Sequence, residues 1–259
     1  MSKLMITMLS AGLVTLVSAS CVKAQDESRL SRFIPVDLFA CSYRDGQGPG
    51  DLDAVIDNWT EHLNAQEVDT HQALTLTRQY YSDAQDFDVL WLGAWKDGNA
   101  MGQQRDNWNA TAQEIEAQFD AVIDCSGHSG FVSRAFKLPS NYDEGPTPTA
   151  VLSFTDCTMK EGASYDSVAE GLTAWSTVLS DNGSEAAIYQ WWPVYGGGDV
   201  EFDFKLLSVY ANYASLGADL ERVANGELWR KRMELLGDQI ECNVSRVYDG
   251  RLRRSAQLR

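Results

Sequence analysis

The chain has 259 residues, 44% of them hydrophobic, with a formal net charge of -16 and a pI of about 4.5. This length and composition can bury the core of one large domain or of two small ones. Nucleic-acid binding requires clustered Lys and Arg that displace counterions from phosphates. The acidic balance therefore argues against nucleic acid and anionic membrane faces as partners.

Residues 1–24 have the pattern of a secretory signal peptide, in which Lys3 precedes an apolar run that ends near Ala19. The run is short for a membrane span, and small residues before Gln25 fit a cleavage site. The small residues before Cys21 also resemble a bacterial lipoprotein signal, which makes Cys21 a candidate for lipidation and membrane anchoring. No other segment is apolar enough to span a bilayer, so the mature protein is predicted to be periplasmic or secreted.

The other four cysteines indicate two disulfides, since an even number in an exported protein is typical of an oxidising compartment. They are Cys41, Cys125, Cys157 and Cys242. Four cysteines allow three pairings, so their number does not decide which residues are joined. None has a Cys-x-x-Cys spacing, and no metal site is predicted.

An internal repeat is the strongest pattern in the chain, and its matches run in one order along the mature sequence. The matched residues include Cys41 with Cys157, Trp59 with Trp175, and Cys125 with Cys242. The repeat predicts a first module over 33–137, a Pro-containing linker over 138–149, a second module over 150–254 and a basic tail over 255–259.

Hydrophobic periodicity predicts the same order of elements in each module: strand, helix, two strands, helix, strand. In the first module these lie near 36–42, 52–63, 73–81, 87–95, 108–119 and Cys125. In the second they lie near 151–158, 168–179, 187–195, 202–210, 229–236 and Cys242. This order is the split βαβ, or ferredoxin-like, arrangement.

The first and fourth strands of a ferredoxin-like sheet are antiparallel neighbours, and the cysteines fall on these strands in both modules. A cross-strand Cα separation of about 5 Å suits a disulfide. We therefore predict the bonds Cys41–Cys125 and Cys157–Cys242.

A ferredoxin-like sheet carries helices on one face only, so its other face must be covered. At this point the chain resembles the dimeric α/β-barrel superfamily, in which two such modules close a barrel around a cavity. The predicted fold is α+β, with two tandem ferredoxin-like βαββαβ modules packed sheet to sheet as a pseudo-dimeric α/β barrel. Because the duplication replaces a dimer, it is compatible with a monomer, and the oligomeric state stays open.

Alternation along the third strand places Trp91 and Trp95 on one face, which we predict to line the gap between the sheets. The aliphatic residues between them would then meet the helices. Tyr210 takes the matching position in the second module, and Asp37 on the first strand is the nearest carboxylate. Such a gap suits a small apolar or aromatic ligand, although the same aromatic residues could simply fill the core.

All three histidines lie in the first module. His128 lies in a Gly-flanked loop that the second module lacks, and with His62 and Asp37 it is a candidate for acid–base catalysis. His62 also fits a partly buried position at the edge of the core, and His71 fits the surface. The resemblance to haem-degrading monooxygenases fails in detail, because they place a haem-ligating histidine on the second helix and neither module has one. No cofactor is predicted.

Three functions stay open, because the superfamily includes cofactor-free monooxygenases, isomerases and proteins without known activity. The first is an exported protein that binds a small apolar or aromatic ligand between its sheets. The second is a cofactor-free α/β-barrel-type enzyme, similar to a monooxygenase or an isomerase. The third is a structural or protein-interaction module without a ligand, whose Arg-rich C-terminus forms the contact.

Export predicts a processed N-terminus. Protein purified from its source should begin at Gln25, or at Cys21 with added lipid mass if the lipoprotein signal is used. N-terminal sequencing and intact-mass measurement distinguish these two products, and a chain that still begins at Met1 would contradict export.

Overall fold

A computed structural model of the protein describes residues 30–140, 145–197, 200–256 and 258. The helices are α1 Pro49–Ala65, α2 Gly98–Thr111, α3 Gln113–Val122, α4 Tyr165–Asp181, α5 Tyr213–Ala224 and α6 Leu228–Leu236. The strands are β1 Phe33–Tyr43, β2 His71–Tyr80, β3 Val89–Trp95, β4 Ile123–Lys137, β5 Thr149–Met159, β6 Ala187–Tyr195, β7 Phe204–Tyr210, β8 Ile240–Cys242 and β9 Arg246–Arg254. The signal peptide and Cys21 lie outside the described residues and stay predictions. Within the described ranges, no helix is long and apolar enough to cross a membrane.

Eight strands form one closed antiparallel barrel, in the order β1, β3, β2, β9, β5, β7, β6 and β4, with β4 pairing back to β1. The short strand β8 pairs only with the end of β5. The closure depends on two strands that each pair across the halves of the chain. β4 pairs with β1 and then with β6, and β9 pairs with both β5 and β2.

The predicted fold class, two ferredoxin-like modules packed sheet to sheet, is therefore wrong. The strands of both halves belong to a single sheet that closes on itself, and the described residues contain no second sheet to pack against it. Alternation and turn residues indicate where strands lie, but they do not indicate which strand edges pair. A closed barrel joins edges that would otherwise expose unpaired backbone groups.

Helices follow the third strand of each half after a tight turn, and side-chain caps fix both turns. The carboxylate of Asp97 accepts a hydrogen bond from the backbone N–H of Ala100 at the start of α2. Asn212 does the same for the N–H of Ser215 at the start of α5. Such caps satisfy backbone donors that a helix leaves unpaired at its first turn. They set α2 and α5 over the outside of the barrel.

The apolar residues form three clusters, one inside the barrel and two between the barrel and its helices. The interior cluster includes Val36, Leu76, Leu90, Leu92, Phe131, Phe154 and Trp191. The outer cluster of the first half includes Cys41, Leu52, Ile56, Trp59 and Val89, and that of the second half includes Cys157, Val168, Leu172, Trp175 and Phe204.

The predicted orientation of β3 is wrong. Leu90 and Leu92 point into the barrel, whereas Trp91 lies outside, edge-on to Trp59 at 5.0 Å and to Phe119 at 5.8 Å between ring centroids. The interior of an eight-stranded barrel is just wide enough for side chains. Here aliphatic residues of β3 fill that interior, and its indole rings pack in the layer beneath the helices.

The Arg-rich C-terminal strand binds the protein's own helix α1. Arg251 Nη1 lies 2.9 Å from Asp53 Oδ2, and Arg253 Nη1 lies 2.6 Å from Asp53 Oδ1. Arg254 Nη1 donates to Asn64 Oδ1 at 2.8 Å. These three side chains therefore hold β9 to the first half, rather than forming the open basic surface that the interaction hypothesis used.

Both predicted disulfides are present, Cys41–Cys125 and Cys157–Cys242. Each joins residues that lie directly opposite on paired strands. The sequence separations are 84 and 85 residues, so each bond closes a long loop of the unfolded chain.

Removing one of these bonds should destabilise the barrel. The double substitution Cys41→Ser with Cys125→Ser should lower the free energy of unfolding by about 4 kcal/mol on the loop-entropy estimate. Urea unfolding measures the loss. Peptide mapping without reduction provides the check on connectivity, and a peptide that joins Cys41 to Cys157 would refute the pairing.

Candidate functional site

A buried carboxylate lies on the outer surface of the barrel, beneath α2. Asp37 is only 5% exposed. Its neighbours Val36 and Leu38 belong to the interior cluster, so alternation turns Asp37 outward. Glycine lies directly opposite on both adjacent strands, Gly93 on β3 and Gly130 on β4. These glycines leave room around the carboxylate.

A bulge in β4 brings His128 to the same surface. Cys41 pairs with Cys125, and the residue before it in β1, Ala40, pairs with Gly127. Ser126 is therefore an extra residue in β4. An extra residue exchanges the two faces of the strand beyond it. His128 therefore lies outward, and the predicted loop at this position is instead part of β4.

The carboxylate of Asp37 is held between two donors. Its Oδ2 lies 3.0 Å from His128 Nε2 and 3.2 Å from Arg105 Nη2. The side chains of His128 and Arg105 are each 44% exposed, and the His128 ring stacks on Phe39 at 3.6 Å. Because a carboxylate only accepts hydrogen bonds, neutral His128 carries its proton on Nε2. Its Nδ1 is then the proton-accepting atom of a half-exposed imidazole.

His71 lies deeper on the same surface, and a chain of hydrogen bonds fixes its tautomer. The indole N–H of Trp95 donates to Gln104 Oε1, and Gln104 Nε2 lies 3.1 Å from His71 Nδ1. His71 Nδ1 therefore accepts, and its Nε2 carries the proton. The ring stacks on Trp95 at 4.7 Å. Burial first, then the nearby Arg254 and Arg105 charges, lower the pKa of His71 to about 3, so the ring is neutral at pH 7.

Two buried polar atoms meet above Gly93. A Cβ on Gly93 would overlap Asp37 Oδ1 and would lie 3.0 Å from His71 Nε2. Both of these atoms are buried and make no hydrogen bond within the described part of the chain. An acceptor and a donor thus point to the same small space, an arrangement that fits a hydroxyl group able to accept from His71 and donate to Asp37.

The structure brings together only part of the predicted site. Asp37, His128 and Trp95 meet on the outer surface, and Trp91 lies nearby in the outer core. His62 lies apart at the edge of α1, with its Nε2 2.9 Å from Gln66 Nε2.

Tyr210 belongs to the other half. Burial first, then the charge of Asp219, raises its pKa to about 12.

Three residues of this cluster were not predicted from the sequence: His71, Gln104 and Arg105. The predicted surface position of His71 is wrong, since the residue is 4% exposed. His71 lies on β2 directly opposite Trp95 on β3. Pairing these two predicted strands would have indicated that His71 lies beside Trp95. Gln104 and Arg105 lie on α2, and sequence periodicity does not reveal the surface that this helix covers.

The second half has no matching carboxylate in its described residues. Ser153 lies on β5 between Ser208 of β7 and Val247 of β9. Farther along the strand, the hydroxyls of Thr155 and Ser245 lie 2.7 Å apart. The acid–base cluster is therefore a property of the first half alone.

A separate cavity opens at one end of the barrel and has a volume of about 300 Å³. Its walls carry the aromatic residues Phe87, Phe131, Phe154, Tyr195, Phe202 and Tyr248, together with Lys205 and Arg246. None of the predicted ligand-binding residues lines it, because their side chains lie on the outer side of the same strands.

Comparison with known proteins finds likeness only at the level of the fold. No family model matches the chain, and no curated protein matches it. A candidate chlorite dismutase has a TM-score of 0.51 at 14% identity, covering 88% of this chain and 98% of its own. A candidate monooxygenase from Lactobacillus acidophilus has a TM-score of 0.52 at 10% identity, over 86% and 95%. An anthrone oxidase-like protein has a TM-score of 0.52 at 12% identity, over 87% and 93%.

These likenesses show that the chain shares the fold of these three proteins. At such identities they define the architecture and leave the reaction to the residues of the site.

The residues do not fit a haem held by a histidine of the second helix. The helices α2, α3, α5 and α6 contain no histidine. Within the described ranges, no group of His, Cys, Asp and Glu is arranged to hold a metal ion. The histidines lie instead on α1, β2 and β4.

Burial of His71 predicts an acid-sensitive fold. Its folded pKa of about 3 lies below the ordinary value of 6.5, so the unfolded chain binds the proton first as the pH falls. The contribution of His71 to the free energy of unfolding should be complete above pH 6.5. As the pH falls further, this free energy should decrease by at most about 1.4 kcal/mol per pH unit. Urea unfolding between pH 7 and 4.5 measures this slope.

The substitution His71→Phe should flatten that slope, because it keeps an aromatic ring against Trp95 and removes the titrating group. Trp59→Phe is the matched control, since Trp59 contacts the His71 ring and carries no ionisable group. Equal slopes for wild type and His71→Phe would show that other groups cause the acid sensitivity.

Proposed function

We propose that the protein is a cofactor-free enzyme of the α/β-barrel type that removes a proton from a small aromatic or enolisable substrate. One observation carries the proposal: a buried carboxylate, Asp37, orients the half-exposed imidazole of His128 and also binds the guanidinium of Arg105. Carboxylate, imidazole and guanidinium in direct contact are the groups that proton abstraction needs.

In the proposed step, His128 Nδ1 takes a proton from a C–H or O–H group of the substrate, and the electron pair of that bond moves onto the substrate oxygen. Asp37 stabilises the imidazolium that forms, because its Oδ2 already accepts from His128 Nε2. Arg105 stands beside the same carboxylate, where its positive charge would stabilise the developing oxyanion. Return of the proton to another carbon would complete an isomerisation.

The fold agrees with the proposal at a coarse level, since monooxygenase-type proteins are among the fold neighbours. An oxyanion formed at this site is also the species that a cofactor-free monooxygenase would present to dioxygen. Proton removal is common to both reactions, so it is the step to test first.

A second candidate function is the binding of a small apolar or aromatic molecule inside the barrel. The supporting observation is the cavity of about 300 Å³ with aromatic walls. This volume is at the lower limit of ordinary small-molecule sites, which are mostly apolar with a few placed polar groups. Such binding would need none of the residues around Asp37.

Proton removal can be measured without knowing the natural substrate. In D₂O, the wild-type protein should accelerate deuterium exchange at the α-carbons of a small aromatic ketone such as 2-indanone, followed by NMR. His128→Gln should reduce the protein-dependent rate roughly 100-fold or more, the range lost with a general base. His62→Gln is the control, because that histidine lies apart from Asp37.

Arg105→Gln tests the oxyanion role. It should slow exchange while leaving the fold intact, because Arg105 is a half-exposed side chain. Undiminished exchange in His128→Gln, with melting temperature equal to wild type, would rule out the proposed base.

A further inference from the structure

The barrel cavity has walls of two kinds. Phe131, Phe154 and Tyr248 supply an apolar surface from β4, β5 and β9, and all three rings are buried. Lys205 at the start of β7 and Arg246 at the start of β9 supply positive charge. An apolar pocket with a few convergent charged groups is the usual form of a selective small-molecule site.

The two cations share one carboxylate. Lys205 Nζ lies 2.5 Å from Asp156 Oδ1, and Arg246 Nη1 lies 2.7 Å from Asp156 Oδ2. All three side chains are largely buried: Lys205 is 14% exposed, Arg246 is 19% exposed and Asp156 is 15% exposed. One acid facing two bases leaves one positive charge without a counter-charge in the cluster, in a chain whose net charge is -16.

Each cation also retains hydrogen-bonding capacity. Lys205 and Arg246 each donate one hydrogen bond to Asp156. An ammonium group has three donors and a guanidinium has five. A partly buried positive charge with spare donors favours an anion that can accept from both side chains.

The bulge at Ser126 places a glycine in the wall of the cavity. Because that extra residue exchanges the faces of β4, Gly127 lines the cavity. A Cβ on Gly127 would meet no heavy atom within 4 Å. A larger residue at this position can therefore occupy cavity space without a steric clash at its Cβ.

We infer that the barrel cavity binds a small aromatic monoanion, with its ring among Phe131, Phe154 and Tyr248 and its carboxylate on Lys205 and Arg246. The inference rests on the second candidate function and names the chemical class of that ligand. A neutral molecule of the same shape would leave the one positive charge that Asp156 does not balance without a counter-charge in a partly desolvated wall.

The test uses calorimetry on the mature protein with 2-naphthoate and its neutral counterpart 2-naphthamide. Wild type should bind 2-naphthoate at least about tenfold more tightly, as expected for charge-assisted hydrogen bonds. Lys205→Met should remove most of that preference by weakening 2-naphthoate about tenfold, with 2-naphthamide nearly unchanged. Lys205→Arg keeps the positive charge and should therefore retain the preference for 2-naphthoate. If Lys205→Met does not fold, a loss of the preference in Lys205→Arg would contradict the inference.

Gly127→Val tests the location, because it adds a side chain at the wall of the cavity. It should weaken the binding of both compounds at least about tenfold, whereas Gly102→Ala on the exposed surface of α2 should weaken the binding of neither.

Equal binding of the two compounds, unchanged by Lys205→Met, would overturn the anion inference and leave ligand binding in the barrel standing. Failure of both compounds to bind wild type would overturn the two together, and unchanged binding in Gly127→Val would place the ligand elsewhere and overturn the inference.

Discussion

Closure of the barrel by its two crossing strands is the constraint on which the rest of the structure depends. β4 is 15 residues long and pairs with β1 before it reaches β6 in the other half. β9 joins β5 to β2 in the corresponding way. Because these strands connect both edges of the sheet, the barrel has a separate inside and outside, and each strand presents one face to each. The interior holds aliphatic and aromatic side chains, and the helices cover the outside.

A single extra residue in β4 determines which residues of that strand lie inside the barrel and which lie outside. Ser126 has no residue of its own opposite it in the register of β1, so beyond it the strand exchanges its faces. His128 then lies outside against Asp37, and Gly127 lies inside at the cavity. If Ser126 instead paired regularly with Ala40, the imidazole would point into the barrel and Gly127 would lie outside, opposite Phe39. The position of His128 beside Asp37 and that of Gly127 in the cavity wall thus have one common local cause.

The two polar clusters lie on opposite surfaces of the same sheet, and each is centred on one carboxylate that contacts two basic side chains. On the outside, one carboxylate, Asp37, is surrounded by donors from α2 and β4. On the inside, Asp156 faces Lys205 and Arg246, whose contacts lower the pKa of Asp156 against the opposing effect of burial. The order of strands and helices is the same in both halves as far as the last strand, but the side chains at the two polar clusters differ. The structure therefore has two different sites where the sequence repeat alone would give two equal ones.

Local periodicity in the sequence predicted the positions of β1, β2, β3, β5, β6 and β7 and of the helices α1, α4 and α6, and the repeated positions of the cysteines predicted their pairing. It did not predict α5 or β9, and it predicted one helix over 108–119 where the structure has α2 and α3. Tertiary structure decided which face is the inside, and so it reversed the predicted roles of Trp91 and Leu92 on β3. Because side chains alternate along a strand, the sequence shows which residues share a face. It does not show which of the two faces lies inside the closed barrel. The same limit hid Arg105, whose meeting with Asp37 depends on how α2 crosses the closed sheet.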